Sequence, residues 1–395
     1  MFRATPRHNV NLTGDELRLA VLAAAGRTEH IDGRAHFEAA ACRYFGVQHA
    51  VAIESGRTAL YLALLGLGLP KNATVVLPRY CFFSLVKVVE GMGYTPRFAP
   101  VHPDTFALDP ARLAPHLDGA DAVVLIHPFG QLADMAGLQA VCSTLGVPLV
   151  EDASQATGAR WGRHRAGAIA DVGVFSLVSG KNLQTFGGGL LLTHRDDVMA
   201  RINERLRDAS EVDNATVSRL FRSGLQRWFL TTPVGFRGFM HPATLTLQTV
   251  APSKLDAMFY EARATFDPQR AIRRLSNTQG ALGCMEIEQL DARNATRRSN
   301  ALRIIEGLKG VHGIELPIFD STAENSFNAV AIRTNDATLL ARRLRRSGYD
   351  TRSDYMEWFG PTQDFSEEVL YLPNHPAMTQ QDVDGLVRAV RDALR

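Results

Sequence analysis

The stretch FSLVSGKNLQTFGGG (residues 175–189) places one amine, Lys181, between a strand-like apolar run and three glycines. A buried lysine costs free energy unless it is paired or neutralised. Forming a Schiff base neutralises it and makes it a covalent catalyst; the bland alternative is a lysine that snorkels to water. The glycines favour the first reading, because they let backbone approach a ligand closely. Three more features fall at the ends of apolar runs. Ser55 and Gly56, in SGRT (55–58), open a helix whose free N–H groups and dipole suit a phosphate, or else form a plain N-cap. Glu151 and Asp152 end VPLVED. A carboxylate there could hold a proton on a ring nitrogen, or simply face solvent. Phe82, in YCFF, offers a ring face for stacking or a core side chain. Each feature has a structural reading when taken alone. Together, a phosphate cradle, a ring-facing carboxylate, an aromatic shelf and an imine-forming lysine describe pyridoxal 5′-phosphate.

These residues need elements to position them. HAVAI (49–53), TVVLP (74–78), AVVLIH (122–127), VPLVED (147–152), DVGVFSL (171–177) and GGLLLTH (188–194) read as strands. Helical patterns such as FFSLVKVVEGMG and MAGLQAVCSTLG lie between them, each closed by glycine. That alternation predicts an α/β fold with a mainly parallel sheet, and open sheets of this kind bind ligands outside the carboxyl ends of their strands. Residues 214–253 differ: they hold no acidic residue, and Arg219, Arg222, Arg227 and Arg237 are spread among Leu, Phe and Trp. Within them RWFLTTPVGFRGFM reads as too broken by Pro233 and Gly235 for a clean helix. Strand and helix patterns return at the C-terminal end as a smaller α+β unit. The expected division is a large domain over 1–255 and a small domain over 256–395.

Composition bounds the function. Apolar residues make up 46% of the 395 and charged residues 21%, as in an ordinary globular protein. A formal net charge of +2 gives no reason to expect nucleic acid as a partner. Cys42, Cys81, Cys142 and Cys284 are widely spaced without a CxxC, so they read as reduced thiols and no metal site is expected. The N-terminus lacks an apolar signal-peptide core and no run is long enough to span a bilayer, so a cytoplasmic protein is expected.

Seven ordered blocks, spread over nearly the whole chain, resemble the DegT/DnrJ/EryC1/StrS family of sugar aminotransferases. They are HAVAIESGRTALYLALLGLGL, TVVLPRYCFFS, LIHPFGQLADM, VEDASQATGA, FSLVSGKN, RLSNTQGALGCMEIEQLDARNATRR and LYLPNHPAMTQQDVDGLV. The resemblance implies the fold-type I architecture of the aspartate aminotransferase superfamily. It also implies that Lys181 carries pyridoxal 5′-phosphate as an imine and shuttles the proton. Asp152 would keep the pyridine nitrogen protonated, Gln155 would bond the ring hydroxyl and Phe82 would stack on the ring. Gly56 and Arg57 would present N–H groups to the phosphate, beside the Ser176 hydroxyl. An amino acid, glutamate in most relatives, would be the donor; a keto-sugar, often nucleotide-linked, or a related polyol-like ketone would be the acceptor. A homodimer with shared active sites is expected.

Several positions depart from the family pattern. Arg57 stands where relatives have Thr, Ile272 where an asparagine reaches the partner's phosphate, Val178 where histidine is frequent and Asp354 where many carry histidine. All fall on phosphate or substrate contacts. The apolar and basic 214–253 segment is longer than usual; it would pack over the dimer interface or the active site, with contact to an anionic membrane surface as the alternative. Two other functions fit the scaffold: a sugar dehydratase, whose lysine is replaced by histidine in relatives, and a non-catalytic ligand-binding member. Lys181 argues against the first. The intact Lys181, Asp152 and Gln155 argue against the second.

Overall fold

The computed structural model describes residues 4–28, 32–250, 265–353, 356–360 and 368–395. Seven strands form the central sheet: β1 (His49–Ile53), β2 (Thr74–Pro78), β3 (Thr95–Ala99), β4 (Ala122–Ile126), β5 (Leu149–Asp152), β6 (Val172–Ser176) and β7 (Gly189–Thr193). Their spatial order is β1-β7-β6-β5-β4-β2-β3. β3, β2, β4, β5 and β6 run parallel, whereas β7 is antiparallel to both its neighbours. Reversing direction twice, β1 ends on the same edge as the parallel set. That edge therefore collects the carboxyl ends of β1, β2, β4, β5 and β6, together with the start of β7.

The strand period of two sorts residues to the two faces. Val51, Ile53, Val75, Leu77, Val124, Val150, Val174 and Leu191 pack beneath the Gly56–Gly66 and Phe83–Gly91 helices. Ala52, Phe175, Leu190 and Leu192 face the Arg34–Phe45 helix, and Val76, Val123, Leu125 and Leu149 the Met135–Thr144 helix. β3 is the strand that periodicity missed. TPRFA carries Pro96 and an exposed start, features tolerated because β3 is an edge strand.

The C-terminal unit is a three-stranded antiparallel sheet (Ile314–Glu315, Val330–Thr334, Val369–Leu372) with the Ala337–Arg346 and Gln380–Ala393 helices. The 32-residue Asn277–Leu308 helix serves both cores: Ile287 and Leu290 pack with the large sheet, Ala301, Ile304 and Leu308 with the small one. The expected boundary at 255/256 lies outside the described residues.

In the 214–253 segment RWFLTTPVGFRGFM is broken at Thr232, as expected, but its first part is regular helix. Asn214–Thr231 is a continuous 18-residue helix, so RWFLT is helical. Pro233 starts a new turn, where its missing N–H costs nothing. Thr232 caps that turn by accepting from Gly235 N–H at 3.1 Å. A helix over His241–Val250 follows. Phe229, Val234 and Phe239 lie exposed around the joint, Val234 at 73%. Among the described residues no helix is long and apolar enough to cross a membrane.

Candidate active site

Lys181 sits in a loop that leaves β6 and returns as β7. The loop closes on itself: Thr185 N–H donates to Leu177 O at 2.9 Å, and Leu177 N–H to Gly188 O at 2.9 Å. Asn182 anchors it from below. Its amide donates to Asn294 Oδ1 at 3.0 Å, while Asn328 Nδ2 donates to Asn182 Oδ1 at 3.0 Å; all three asparagines are buried. Arg297 Nη1 also donates to Asn294 Oδ1, at 3.1 Å. Burial holds the Arg297 guanidinium down to about 10. So anchored, Lys181 holds its Nζ 5.4 Å from the centre of the Phe82 ring. Phe82 precedes the Phe83–Gly91 helix just past the end of β2.

The acids ending β5 separate by strand alternation. The Glu151 side chain points inward, is fully buried and accepts four hydrogen bonds, from His127 Nε2 (2.8 Å) and from the N–H groups of Gly167, Ile169 and Ala170. His127 Nδ1 accepts from Ala133 N–H at 3.0 Å, which places its proton on Nε2. Glu151 is therefore a structural anchor. Asp152 is the half-buried acid at the strand mouth; Oδ1 accepts from Ser154 N–H at 2.9 Å, and Oδ2 has no partner among the described residues. Burial, with the Asp152 charge beside it, raises the Cys81 thiol far above its ordinary range.

Gln155 is buried, and its Oε1 accepts from Phe129 N–H at 3.1 Å. Among the described residues its Nε2 meets just the Met356 sulfur at 3.9 Å, which leaves it able to donate. Ser176 N–H donates to Ser154 Oγ at 2.8 Å, and the Ser176 hydroxyl has no partner among the described residues. Ser55 caps the Gly56–Gly66 helix by accepting from Thr58 N–H at 3.2 Å, so the N-cap reading holds. Gly56 presses against β6, where an added Cβ would stand 2.9 Å from the Ser176 Cβ. Only glycine lets the helix start meet Ser176 this closely, and it leaves the first-turn N–H groups at the sheet edge. Arg57 is half-buried with no ion-pair partner among the described residues. Nearby Glu54 is already taken by Arg270, Arg273 N–H and Thr58.

Two of the three glycines are also required by their protein neighbours. A Cβ on Gly189 would run into the Ser55 carbonyl, and one on Gly188 would meet Leu275 Cδ1 at 2.6 Å. Gly187 and Gly188 also take φ of 144° and 115°, disfavoured for residues with a Cβ. Gly189 thus lays its backbone on that of Ser55 beneath the Gly56 turn, while Gly188 makes room for the Leu275 side chain.

Every expected residue thus lies on one edge of the sheet. Among the described residues an acceptor at Asp152 Oδ2, a donor at Gln155 Nε2, and hydroxyl and N–H donors at Ser176 and Gly56 are left over, and with the Lys181 amine over the Phe82 ring they suit a flat heteroaromatic ring bearing a phosphate. On these grounds the residues fit pyridoxal 5′-phosphate. The departures also find places. Ile272 is 5% exposed in the core that the central sheet shares with the C-terminal sheet, so no polar group stands at that position. Asp354 lies outside the described residues. The Asn182, Asn294, Asn328 and Glu151–His127 supports escaped sequence reasoning, since their partners lie 24 to 146 residues apart.

Comparison with known proteins bears on the same edge. The model of the DegT/DnrJ/EryC1/StrS aminotransferase family matches residues 16–237 and 270–391. The dTDP-3-amino-3,4,6-trideoxy-alpha-D-glucose transaminase of Streptomyces venezuelae is 28% identical over 373 residues, covering 90% of this chain and 86% of that protein. The L-glutamine:2-deoxy-scyllo-inosose aminotransferase of Streptomyces fradiae is 30% identical over 305 residues, covering 77% of this chain and 63% of that protein. The crystal structure of S. venezuelae DesV in complex with a ketimine intermediate superposes with a TM-score of 0.75, at 25% identity and 99% coverage of both chains. The expected fold-type I α/β architecture is the one found.

Proposed function

The chain belongs to the DegT/DnrJ/EryC1/StrS family and is an aminotransferase, and we propose that it uses pyridoxal 5′-phosphate to move an amino group from an amino-acid donor to a keto-sugar or related polyol-like ketone. L-glutamate is the first donor to test; L-glutamine is the second, being named for the S. fradiae relative. The observation that carries the reading is the Lys181 amine over the Phe82 ring, at the strand edge that Asp152, Gln155 and Ser176 share.

When bound, the cofactor supplies an aldehyde that holds the amino group and a ring that draws in the electrons left when a proton leaves the adjoining carbon. The chain's own residues do the rest. Lys181 Nζ, held by the Asn182 anchor, takes the proton from the substrate carbon as a general base and returns it as a general acid. Asp152 Oδ2 keeps a proton at the ring nitrogen through a charge-assisted hydrogen bond. Gln155 Nε2 donates to the ring hydroxyl, and Phe82 lies against the ring face. The Gly56 and Arg57 N–H groups and the Ser176 hydroxyl hold the phosphate at the helix start, with the unpaired Arg57 guanidinium adding charge. The protein is proposed to act in the cytoplasm, in keeping with four free cysteines, and as a homodimer. A dimer would give the exposed Phe229, Val234 and Phe239 a cover; sedimentation as a monomer, with binding to anionic vesicles, would favour the membrane alternative instead.

The test is a visible absorption spectrum of the protein with pyridoxal 5′-phosphate, before and after each amino donor, with Lys181→Ala alongside. The wild-type visible band is expected to bleach with donor, and the variant to lose that response. A band that no donor changes would count against aminotransfer and for a lyase or a pure binder.

A further inference from the structure

Residues 4–10 form a strap from the small domain to the lysine loop and onward to the Asn214–Thr231 helix. At one end, Thr5 N–H donates to Gly348 O at 2.8 Å, Asp350 N–H donates to Thr5 O at 3.0 Å and Arg7 Nε pairs with Asp350 Oδ2 at 3.1 Å. His375 Nε2 donates to Pro6 O at 3.1 Å. At the other end, Asn9 Nδ2 donates to Thr231 O at 2.9 Å and Val10 N–H to Thr231 Oγ1 at 3.2 Å. His8 is the residue held between these anchors. Its side chain lies on the backbone of Gly180, where an added Cβ would be 3.5 Å from both the Cβ and Cγ of His8. Lys181 is the next residue.

Neither ring nitrogen of His8 has a hydrogen-bond partner among the described residues. Among the described residues the charges that bear most on it are basic: Arg7 on the strap, Lys181 on the loop, and His375 and Arg352 from the C-terminal unit. Burial and these charges hold the imidazole well below its usual range, so it is neutral. A neutral imidazole has one N–H to give and one nitrogen to receive. A hydroxyl has the same two needs, whereas a carboxylate only accepts and would find better partners in the arginines.

We propose that His8 is a specificity residue that binds a hydroxyl of the acceptor ketone, close to the carbon served by Lys181, and so selects polyol-like acceptors. The inference rests on the aminotransferase reading above.

The test separates the two halves of the reaction in the holoenzyme, using wild type, His8→Ala, His8→Asn and His8→Phe. The donor half is followed with L-glutamate and L-glutamine. The acceptor half uses 2-deoxy-scyllo-inosose as the polyol ketone and cyclohexanone as a ketone without hydroxyls. Loss of one net hydrogen bond should lower kcat/KM for the inosose about tenfold in His8→Ala and His8→Phe, through KM, with His8→Asn recovering part of it. The donor half should stay within about twofold of wild type, and cyclohexanone should not distinguish the variants. A donor half that falls in parallel, or an equal loss with both ketones, would overturn the assignment and mark His8 as a packing residue. So would a wild type that takes the donor's amino group yet never responds to the inosose, with aminotransfer left standing. A wild type that responds to no donor removes the parent reading and this one together.

Discussion

Two adjacent acids in this chain should answer to different assays. Glu151 holds His127 and Gly167 on Oε1, and Ile169 and Ala170 on Oε2. Glu151→Gln replaces one of those oxygens with an NH2 group, which must then face two donors. His127 cannot relieve the conflict by moving its proton, because Ala133 N–H already occupies Nδ1. Each stranded donor costs about 1–3 kcal/mol, so the substitution should cost about 2–6 kcal/mol. Unfolding entropy for 395 residues is about 0.8 kcal/mol per kelvin, which puts the expected fall in Tm at about 2–7 °C. Asp152→Asn behaves oppositely. Its only hydrogen bond from the described residues, Ser154 N–H to Oδ1, survives in the amide, so Tm should hardly move. Losing the charge-assisted bond to the ring nitrogen, at about 1.5–3 kcal/mol, should slow the donor half-reaction about 10- to 150-fold. The paired assay is a thermal melt and a stopped-flow spectrum with the donor. The reasoning fails if Glu151→Gln melts with the wild type, or if that variant, folded, slows the half-reaction as much as Asp152→Asn does.

Three other outcomes are expected. Arg57→Ala should weaken binding of pyridoxal 5′-phosphate to the apoprotein about tenfold or more and leave pyridoxal, which lacks the phosphate, unaffected; fluorescence titration with both compounds checks this, and equal losses would exclude a phosphate contact. Glu286 is buried and shares Arg293 with Glu16: both Glu16 oxygens take Nη2 at 2.8–3.0 Å, while Glu286 Oε1 meets Nη1 at 2.9 Å; burial pushes its carboxyl up to about 7 from an ordinary 4.5. Folded chains then bind more protons than unfolded ones between those values, so stability should fall by about 3 kcal/mol as pH rises from about 4.5 to about 7, and Glu286→Gln should flatten melts compared at pH 5 and pH 7.5. Asn182→Ala removes the link between Asn294 and Asn328 at a cost of about 1–3 kcal/mol and should slow the donor half-reaction with donor affinity unchanged; a drop in Tm with normal turnover would show that the anchor serves folding alone.

The candidate site residues were legible here because of where ligand-facing residues of an open sheet must stand. Lys181, Asp152 and Phe82 each follow an apolar run, and an apolar run is what a strand buried on both faces looks like in a sequence. Its end marks the sheet edge, so locating the runs located the candidate site. The supports follow no such rule. Glu151 reads the same as Asp152 in the string VED, and only the strand's alternation, with His127 arriving from a separate strand end, turns one acid inward. Asn182, Asn294 and Asn328 come from a loop, a long helix and the approach to a small-domain strand. No local pattern joins them. The three glycines show the converse, since their composition was conspicuous while their task, seating β7 against the Ser55 turn, depends on a partner more than 130 residues away. His8 follows from the same logic. It belongs to no element, and its setting appears only once Thr5 is tied to Gly348 and Asp350, Asn9 to Thr231, and the His8 side chain laid on Gly180. Cofactor chemistry can therefore be read from strand ends, whereas acceptor choice, if it rests on His8, depends on long-range contacts that the folded chain alone makes visible.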